Sequence, residues 1–325
     1  MIQPALDIRN LRIEFGNRHG PITAVDDVSL TIAPGEILGV VGESGAGKSL
    51  TGNAVIGLLQ PPGRIAGGSI QLGGKRIDGL PDHEMQHIRG RKVGAIFQDP
   101  LTSLDPLFTV GSQLVETILA HLPLSRADAR KRALALLTEV GIPAPEARID
   151  QYPHQFSGGM RQRVVIALAL AGEPELIVAD EPTTALDVSV QAQITALLKR
   201  LCREHGTAIM LITHDMGVIA ETADRVAVLY AGRVVEIGAV EDVLRRPQHP
   251  YTAALMGSIP SLERKADRLA QIDGSMPRPG QLPSGCAFHP RCTLRGPRCA
   301  TTRPELRQTA QSASACWLTQ GGTAG

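Results

Sequence analysis

Gly42-Glu-Ser-Gly-Ala-Gly-Lys-Ser49 is the stretch that decides the fold of this chain. It follows the apolar run Ile37-Leu-Gly-Val-Val41 and precedes a segment that suits a helix. In the pattern G-x-x-x-x-G-K-S the glycines let consecutive backbone N–H groups face a polyphosphate, the lysine reaches the outer phosphates, and the serine hydroxyl binds Mg²⁺. The N-terminus of the following helix adds a positive potential. Because a strand precedes the motif and a helix follows it, the stretch predicts a phosphate-binding loop for a nucleotide.

The composition limits what this nucleotide can be used for. A chain of 325 residues has room for one large domain and a smaller unit. Its 33 basic and 32 acidic residues give a net charge of +1, so no overall field favours nucleic acid or acidic lipid. Aromatic residues make up 3 %, which leaves little material for base stacking.

Neither a signal peptide nor a membrane span is expected. Residues 1–7 lack the basic start and apolar core of a signal peptide, and the purest apolar run, Val164 to Ala171, is far too short to cross a bilayer. The sequence therefore predicts a protein that is cytosolic and soluble by itself.

Hydrophobic periodicity divides the chain into three kinds of segment. The first part alternates apolar and polar residues as strands do, and the apolar strand before the phosphate loop is typical of a parallel sheet buried on both faces. The strands and the first helix are expected at residues 5–15, 24–32, 37–41, 47–59, 67–77 and 93–98. Residues 110–121 and 125–140 then predict helices, the second opened by a capping box at Ser125.

From Ser157 onward helices alternate with buried strands. Helices are predicted at 158–171, 188–205 and 249–258, and strands at 176–179, 207–213, 225–230 and 233–237. Such alternation predicts an α/β domain with a parallel sheet, whose ligand groups lie at the carboxyl ends of the strands. The predicted organisation is a nucleotide-binding domain at 1–248, with a helical subdomain at about 99–165, and an extension at 249–325.

Four polar residues end or follow predicted strands of this sheet. Asp180 has the position of the acidic residue that holds Mg²⁺ in nucleoside-triphosphate hydrolases, directly or through water. Glu181 beside it suits a general base for an attacking water. Gln98 is expected to contact magnesium or water, and His214 to hydrogen-bond the γ-phosphate. Each alone could be a capped strand end, but their shared edge of the sheet favours function.

Phe156-Ser-Gly-Gly-Met-Arg-Gln162 supplies a second anion-accepting helix start in a chain that already has one phosphate loop. We therefore expect Ser157 and Gly159 to grip the nucleotide of another subunit. With the phosphate loop, Gln98, Asp180-Glu181, Ala185-Leu-Asp187 and His214 in this order, the chain resembles the nucleotide-binding subunit of an ATP-binding cassette (ABC) transporter. The resemblance implies a cassette with a mainly parallel core sheet, an antiparallel β subdomain and a helical insertion, followed by the small cysteine-rich extension.

The resemblance also implies roles for individual residues. Two cassettes would close head to tail over two ATP molecules, with Glu181, His214 and Gln98 as catalytic residues and Ser49, Gln98 and Asp180 serving Mg²⁺. The signature residues Ser157, Gly158, Gly159 and Met160 would act in trans, and Asp187 would form the loop between subunits. The residues expected to contact ATP are Phe15, Val25, Gly42, Glu43, Ser44, Gly45, Ala46, Gly47, Lys48, Ser49 and Leu50. Phe15 is assigned to adenine stacking, with a core phenylalanine as the alternative.

Two features resemble one branch of the family, the peptide-importer ATPases. Met160 replaces the more common glutamine of the signature, and His249-Pro-Tyr-Thr-Ala-Ala-Leu255 and Pro283-Ser-Gly-Cys-Ala-Phe-His-Pro-Arg-Cys292 resemble the tail of that branch. The resemblance implies import of dipeptides, oligopeptides or nickel complexes. It also implies partners: a second, related ATPase in a heterodimer, two transmembrane permease subunits and an extracytoplasmic solute-binding protein. The chain would then lie peripherally on the cytoplasmic face of the cell membrane.

Four of the five cysteines crowd into the last 40 residues. Cys286, Cys292, Cys299 and Cys316 are spaced C-x5-C-x6-C-x16-C, wider than most structural zinc knuckles. Four thiolates in a reducing compartment suit zinc or a four-iron cluster, and free thiols are the third possibility. The resemblance implies a [4Fe–4S] cluster, with zinc as runner-up, and a structural role because the extension has little core of its own. Cys202 is expected to be a core thiol.

Two other functions fit part of the pattern. A soluble ABC ATPase that acts on nucleic acid or ribosomes would share the cassette, but such proteins commonly carry two cassettes, and the charge and aromatic content argue against it. An exporter ATPase fits the cassette and leaves the cysteines unexplained. The sequence thus predicts an ATP hydrolase that powers import of a peptide-like solute, and does not identify that solute.

Overall fold

Strands and helices alternate along the chain in this computed structural model, which describes residues 3–18, 20–184, 186–258 and 272–320. The strands are β1 Leu6–Phe15, β2 Ile22–Ile32, β3 Ile37–Val41, β4 Gly63–Leu72, β5 Lys75–Arg76, β6 Val93–Ile96, β7 Leu176–Asp180, β8 Ala208–Ile212, β9 Arg225–Tyr230, β10 Arg233–Ala239, β11 Arg307–Gln308 and β12 Ser312–Ser314. The helices are α1 Lys48–Val55, α2 Asp82–Ile88, α3 Pro100–Ser103, α4 Val110–His121, α5 Arg126–Glu139, α6 Pro145–Arg148, α7 Gly158–Leu170, α8 Val188–His205, α9 Met216–Thr222, α10 Val240–Arg245, α11 Pro250–Gly257 and α12 Pro297–Thr301.

The chain divides into two compact units, each made of several segments. The first unit comprises Met1–Leu6, Ile32–Ile37 and Gln71–Leu211, and the second comprises Asp7–Thr31, Leu38–Ile70 and Ile212–Gly325.

In the first unit, β6 and β7 pair in parallel, from Val93 opposite Leu176 to Ile96 opposite Ala179. The side chains of β8 are buried along its whole length, as expected for a strand covered on both faces. The helical part of this unit is formed by α4, α5 and α7, which contact one another in pairs. Residues 99–165, predicted as a helical insertion, contribute all of α3 to α6 and the beginning of α7.

In the second unit, β3 pairs in parallel with β9, and β10 returns antiparallel to β9. Strand β3 is buried at all five positions. Gly39 in its middle leaves room for Ile219, since a Cβ there would lie 2.6 Å from Ile219 Cδ1. This packing holds the end of β3, where the chain enters residues 42–49, against the helix α9.

The extension adds strands that the sequence did not predict. β12 pairs antiparallel with β10, with Glu236 opposite Ser314, and β11 pairs with β12. Residues 312–314 are Ser-Ala-Ser and carry no hydrophobic alternation that would indicate a strand. β12 pairs with the edge of β10 that does not face β9. The sequence of residues 312–314 therefore does not by itself predict this strand.

The N-terminus of α5 lies where the sequence predicts it, whereas α1 ends earlier than predicted. Ser125 begins α5 as predicted, because its Oγ accepts a hydrogen bond from the Asp128 N–H at 3.1 Å. The first helix was predicted to run to residue 59 but ends at Val55. Gly57 takes a left-handed conformation, with φ of 67°, and its N–H bonds back to Ala54 O, which stops the helix.

The strand predicted to end at Gln98 ends two residues earlier, at Ile96. Among the helices that the structure describes, none has both the length and the apolar character required to cross a bilayer.

Candidate functional site

Residues 42–47 form a tight loop between β3 and α1 in the second unit, and Lys48 and Ser49 begin α1. Gly42 has a φ of 147°, and a Cβ at this position would lie 2.2 Å from Leu229 O, so only glycine fits. Lys48 is 7 % exposed, and its Nζ donates hydrogen bonds to Gly42 O at 2.8 Å and to Glu43 O at 3.0 Å. The lysine therefore folds back over the loop and places its charge beside the carbonyl oxygens of Gly42 and Glu43.

The mouth of this loop can receive an anion. Ser44, Gly45 and Ser49 are exposed, whereas Ala46 and Gly47 are buried. Gly47 caps the N-terminus of α1 in a left-handed conformation, and the first turn of α1 contains no acidic residue that would neutralise the helix dipole. Exposed N–H groups, the helix N-terminus and Lys48 together favour a polyphosphate.

The two residues expected near adenine also lie in the second unit. Val25 is buried, and its Cγ2 would lie 3.1 Å from a Cβ on Gly47, so it contacts the phosphate loop. Phe15 is half-buried at the end of β1, and its ring packs closely on Gly63, where a Cβ would approach Phe15 Cε1 to 2.9 Å. Adenine stacking by Phe15 stays a prediction.

His214 belongs to the second unit, where it is exposed two residues after the end of β8. Its neighbours fix the backbone on both sides. Thr213 Oγ1 accepts a hydrogen bond from the Asp215 N–H at 3.0 Å, and Asp215 Oδ1 accepts from the N–H of Gly217 at 2.8 Å. Asp215 thereby caps α9, and the imidazole is held at a defined point beyond the strand.

Gln98 and Glu181 are brought together in the first unit, with 3.1 Å between Gln98 Nε2 and Glu181 Oε2. The same carboxylate oxygen accepts from Thr184 Oγ1 at 2.9 Å. Asp180 ends β7 and is half-buried, and Glu181 follows with a φ of 50°, a conformation that is uncommon outside glycine. The parallel pairing of β6 and β7 explains this meeting, because equivalent ends of parallel strands share an edge.

The signature residues begin α7 in the first unit. Ser157 is exposed and caps the helix, its Oγ accepting from the Met160 N–H at 3.4 Å. Gly158 is also exposed, whereas Gly159 faces Val190 of α8, whose Cγ1 would lie 2.6 Å from a Cβ. Asp187 is exposed just before α8, and Ala185 lies outside the described residues. The exposed Ser157 hydroxyl and helix N-terminus are available to an external anion.

Four cysteines of the extension line one small cavity in the second unit. Cys286, Cys292, Cys299 and Cys316 surround about 20 Å³ together with aromatic and apolar side chains such as Phe288 and Trp317. Burial raises the pKa of Cys286 to about 11, with a further contribution from the other three cysteines. Burial also raises the pKa of Cys292 and of Cys316. Burial therefore favours the neutral form of these three thiols unless a cation stabilises the thiolates.

The geometry of these thiols does not support a metal site by itself. Among the described residues, no group of three or more histidine, cysteine, aspartate or glutamate side chains is arranged to hold a metal ion. The sequence correctly groups the four cysteines around one cavity, but the predicted ligand sphere is not formed. Cys202 is fully buried in α8, as expected for a core thiol.

Arg291 and Tyr251 are contacts of the phosphate loop that the sequence analysis missed. Arg291 Nη1 lies 3.1 and 3.0 Å from the two carboxylate oxygens of Glu43, and Tyr251 Oη accepts the N–H of Glu43 at 2.9 Å. Tyr251 lies in the segment 249–255 and Arg291 in the segment 283–292, the two segments that resemble the tail of the peptide-importer ATPases. Nothing local in either segment indicates a partner more than 200 residues away.

Two family models match the chain. The model for the ABC transporter matches residues 25–184, and the model for the oligopeptide/dipeptide transporter, C-terminal region, matches residues 235–299. The first covers the phosphate loop, the signature and Glu181, and the second covers the extension as far as the third cysteine of the cavity.

Curated relatives are similar over nearly their whole length. The dipeptide transport ATP-binding protein DppD of Bacillus subtilis is 47 % identical over 320 residues, which are 98 % of this chain and 95 % of the relative. The oligopeptide transport ATP-binding protein OppD of Escherichia coli is 46 % identical over 312 residues, 96 % of this chain and 92 % of the relative.

Among solved structures, the ATP-binding cassette MJ0796, in a dimeric post-hydrolysis state bound to ADP and Pi, is similar with a TM-score of 0.64 and 32 % identity. The match covers 72 % of this chain and 98 % of that chain. The fold is thus that of an ABC ATPase cassette, as the sequence predicted, and the cassette occupies only part of the chain.

Proposed function

Because the chain belongs to the ABC transporter family and carries the C-terminal region of its oligopeptide and dipeptide transporters, we propose that it binds and hydrolyses ATP to power peptide import. The observation that carries this proposal is the identity of 46–47 % to peptide transport ATP-binding proteins over 92–95 % of their length. The phosphate loop supports the ATP part, since Lys48 and the α1 N-terminus lie where a polyphosphate needs them.

In the proposed reaction, residues 42–50 hold the phosphates, and Phe15 and Val25 contact the adenine. Glu181 takes a proton from the attacking water, and His214 hydrogen-bonds the γ-phosphate. The oxygen atoms of Ser49, Gln98 and Asp180 suit Mg²⁺, which would neutralise charge on the phosphates. Gln98 and Thr184 hold the Glu181 carboxylate in place in the first unit, and this contact supports assigning Glu181 as the base.

A complete ABC importer requires other chains. We propose that Ser157, Gly158, Gly159 and Met160, with Asp187, complete the nucleotide site of a second, related ATPase. Two transmembrane permease subunits and an extracytoplasmic solute-binding protein would complete the importer, with this chain peripheral on the cytoplasmic face. The nucleotide-binding domain would span 1–248, including a helical subdomain near 99–165, and the extension would span 249–325.

Substitution of Lys48 tests whether the chain binds ATP at this loop. Lys48→Met should abolish binding of a fluorescent ATP analogue to the full chain, because the loop loses its central charge. Lys131, an exposed lysine of α5, is the matched control, and Lys131→Met should bind as the wild type does. Equal binding by Lys48→Met and the wild type would refute ATP binding at this loop.

Co-purification tests the proposed partners, and stimulation of ATP hydrolysis tests the proposed solute. The tagged full chain should co-purify with two hydrophobic membrane subunits, and a di- or oligopeptide should stimulate ATP hydrolysis by the reconstituted complex. If only a nickel complex stimulates hydrolysis, the transported solute is a nickel complex and not a peptide. If the tagged chain co-purifies with ribosomes or nucleic acid, a soluble ABC ATPase is favoured.

We also propose that the cysteine cavity holds a [4Fe–4S] cluster as a structural staple. Each thiolate of such a cluster binds a different iron, so its ligands lie farther apart than those of a single zinc ion. The four thiols line one cavity, and the likeness of this tail to that of the peptide-importer ATPases favours the cluster over zinc. Anaerobic purification followed by iron and sulfide analysis tests it, and stoichiometric zinc without iron would refute it.

A further inference from the structure

The guanidinium of Arg291 joins the extension to the phosphate loop within the second unit. The Arg291 side chain is 7 % exposed, and its Nη1 lies 3.1 and 3.0 Å from Glu43 Oε1 and Oε2. Its Nε donates to Asp273 O at 2.8 Å and its Nη2 to Ile272 O at 3.2 Å. All three nitrogens are thus used, and a lysine could not make these contacts together.

A second contact fixes the backbone of the same loop residue. Tyr251 in α11 accepts the Glu43 N–H at 2.9 Å, and this tyrosine is fully buried. The rings of Tyr251 and Phe288 lie 5.3 Å apart, and both pack on Tyr230, with centroids at 4.6 and 5.2 Å. Two residues of the extension therefore hold Glu43, Arg291 by its side chain and Tyr251 by its backbone.

Glu43 directly follows the first glycine of the phosphate loop, so its carboxylate is a negative charge beside an anion site. Its side chain is 27 % exposed, which leaves the charge only partly screened by water. The Arg291 guanidinium neutralises this carboxylate and fixes its position. An ordered loop also binds more tightly, since the entropy of ordering is not lost on binding.

We infer that Arg291 is a positioning residue for the nucleotide site, through which the extension sets the ATP affinity of the cassette. Arg291 lies in a turn bracketed by two cysteines. The N–H of His289 bonds to Cys286 O at 3.0 Å, and the N–H of Cys292 bonds to His289 O at 3.2 Å. Through Arg291 the extension contributes a side chain that positions Glu43 of the phosphate loop.

The inference rests on the proposed ATP binding and is tested by a double-mutant cycle on the full chain. Binding of a fluorescent ATP analogue with Mg²⁺ is titrated for the wild type, Arg291→Gln, Glu43→Gln and the double variant. Arg291→Gln should raise Kd about tenfold, the equivalent of about 1.4 kcal/mol. In the Glu43→Gln background the same change should have less than a twofold effect, because the carboxylate that Arg291 positions is gone.

Arg295 provides the matched control in the same extension. It is exposed, and its Nη1 lies 3.3 Å from Pro290 O. Arg295→Gln should leave Kd unchanged. Arg291→Lys restores the charge facing Glu43 without the contacts to Ile272 and Asp273, and it should recover part of the affinity.

The outcomes separate the two proposals. A wild-type chain that does not bind the analogue refutes the proposed function. A wild-type chain that binds, with Arg291→Gln within twofold of it, refutes the role of Arg291 alone. Equal effects of Arg291→Gln in both backgrounds would assign it a purely structural role in the extension and would also refute the inference. If Arg291→Gln does not fold, the comparison of Arg291→Lys in the two Glu43 backgrounds carries the same test.

Discussion

Glu181 and Gln98 are joined by a hydrogen bond of 3.1 Å, although they lie 83 positions apart in the chain. Thr184 donates to the same carboxylate oxygen at 2.9 Å, so Glu181 is held by two donors at the end of β7. A carboxylate with fixed orientation is what a general base requires, because proton abstraction depends on geometry before it depends on pKa. This arrangement leads to the first prediction.

Glu181→Gln should keep ATP binding and reduce ATP turnover at least about a hundredfold, within the usual contribution of a general base. Glutamine preserves the size of the side chain and can still bond to Gln98 and Thr184, but it cannot accept the proton. Nucleotide binding and phosphate release are measured on the reconstituted complex. Glu146→Gln, at an exposed glutamate of α6, is the control. Undiminished hydrolysis by Glu181→Gln would remove Glu181 from the role of base.

Ser157→Ala should lower the ATP turnover of the assembled complex at least about tenfold, while the isolated chain keeps its ATP affinity. The hydroxyl caps α7 of its own chain and is proposed to bind the nucleotide of the partner cassette. Ser125 caps α5 in the same manner and has no proposed ligand. Ser125→Ala should cost about 1 kcal/mol of stability and leave turnover unchanged. Equal catalytic effects of the two changes would show that Ser157 is only a cap.

Asp26→Asn should destabilise the chain at pH 7 by about 1 kcal/mol. Burial raises the pKa of Asp26, but hydrogen bonds and charge from Arg233, and charge from Arg303 of the extension, outweigh burial and lower it. A folded-state pKa below the unfolded value of about 3.9 gives stability that is complete above that value and lost as the pH falls through the folded pKa.

The difference in stability between wild type and Asp26→Asn should therefore shrink as the pH falls below about 4. Urea unfolding at several pH values measures it. Glu116→Gln, at an exposed position of α4, should show no comparable difference at any pH. A constant difference for Asp26→Asn across this range would exclude a stabilising charge on Asp26.

Removal of the metal proposed for the cysteine cavity should lower the thermal unfolding midpoint by a few degrees, since the extension would lose its cross-link. Chelator-treated and untreated full chains are compared by calorimetry after metal analysis. Cys286→Ser should start at the lower midpoint and not respond to the chelator. An identical midpoint for treated and untreated wild type would contradict a structural staple.

Much of the fold was predictable because its signals are local. The bounds of α4 and α8 matched the predicted ranges, since the 3.6-residue period and the flanking residues mark them. The phosphate loop was predictable because glycine is required at Gly42, where Leu229 O leaves no room for a Cβ. The early end of α1 was missed because Gly57 acts as a C-cap inside an apolar segment.

Long-range pairings had no such signal. β12 lies on the edge of β10 although its three residues have no strand pattern, because the backbone of an unpaired edge bonds to any extended segment that reaches it. The grouping of four cysteines was expected, yet their arrangement as ligands was not found among the described residues.

The sequence by itself determined that the chain is an ABC cassette with a peptide-transporter extension, since the glycine-rich loop, the signature and the tail segments are patterns of residues that lie close together in the chain. Only the tertiary structure decided that the extension holds the phosphate loop. Arg291 meets Glu43 across 248 residues of chain, and a contact of this kind depends on where two surfaces lie after folding. Phosphate binding is assigned to residues 42–49, and Glu43 among them contacts Tyr251 and Arg291 from the other end of the chain.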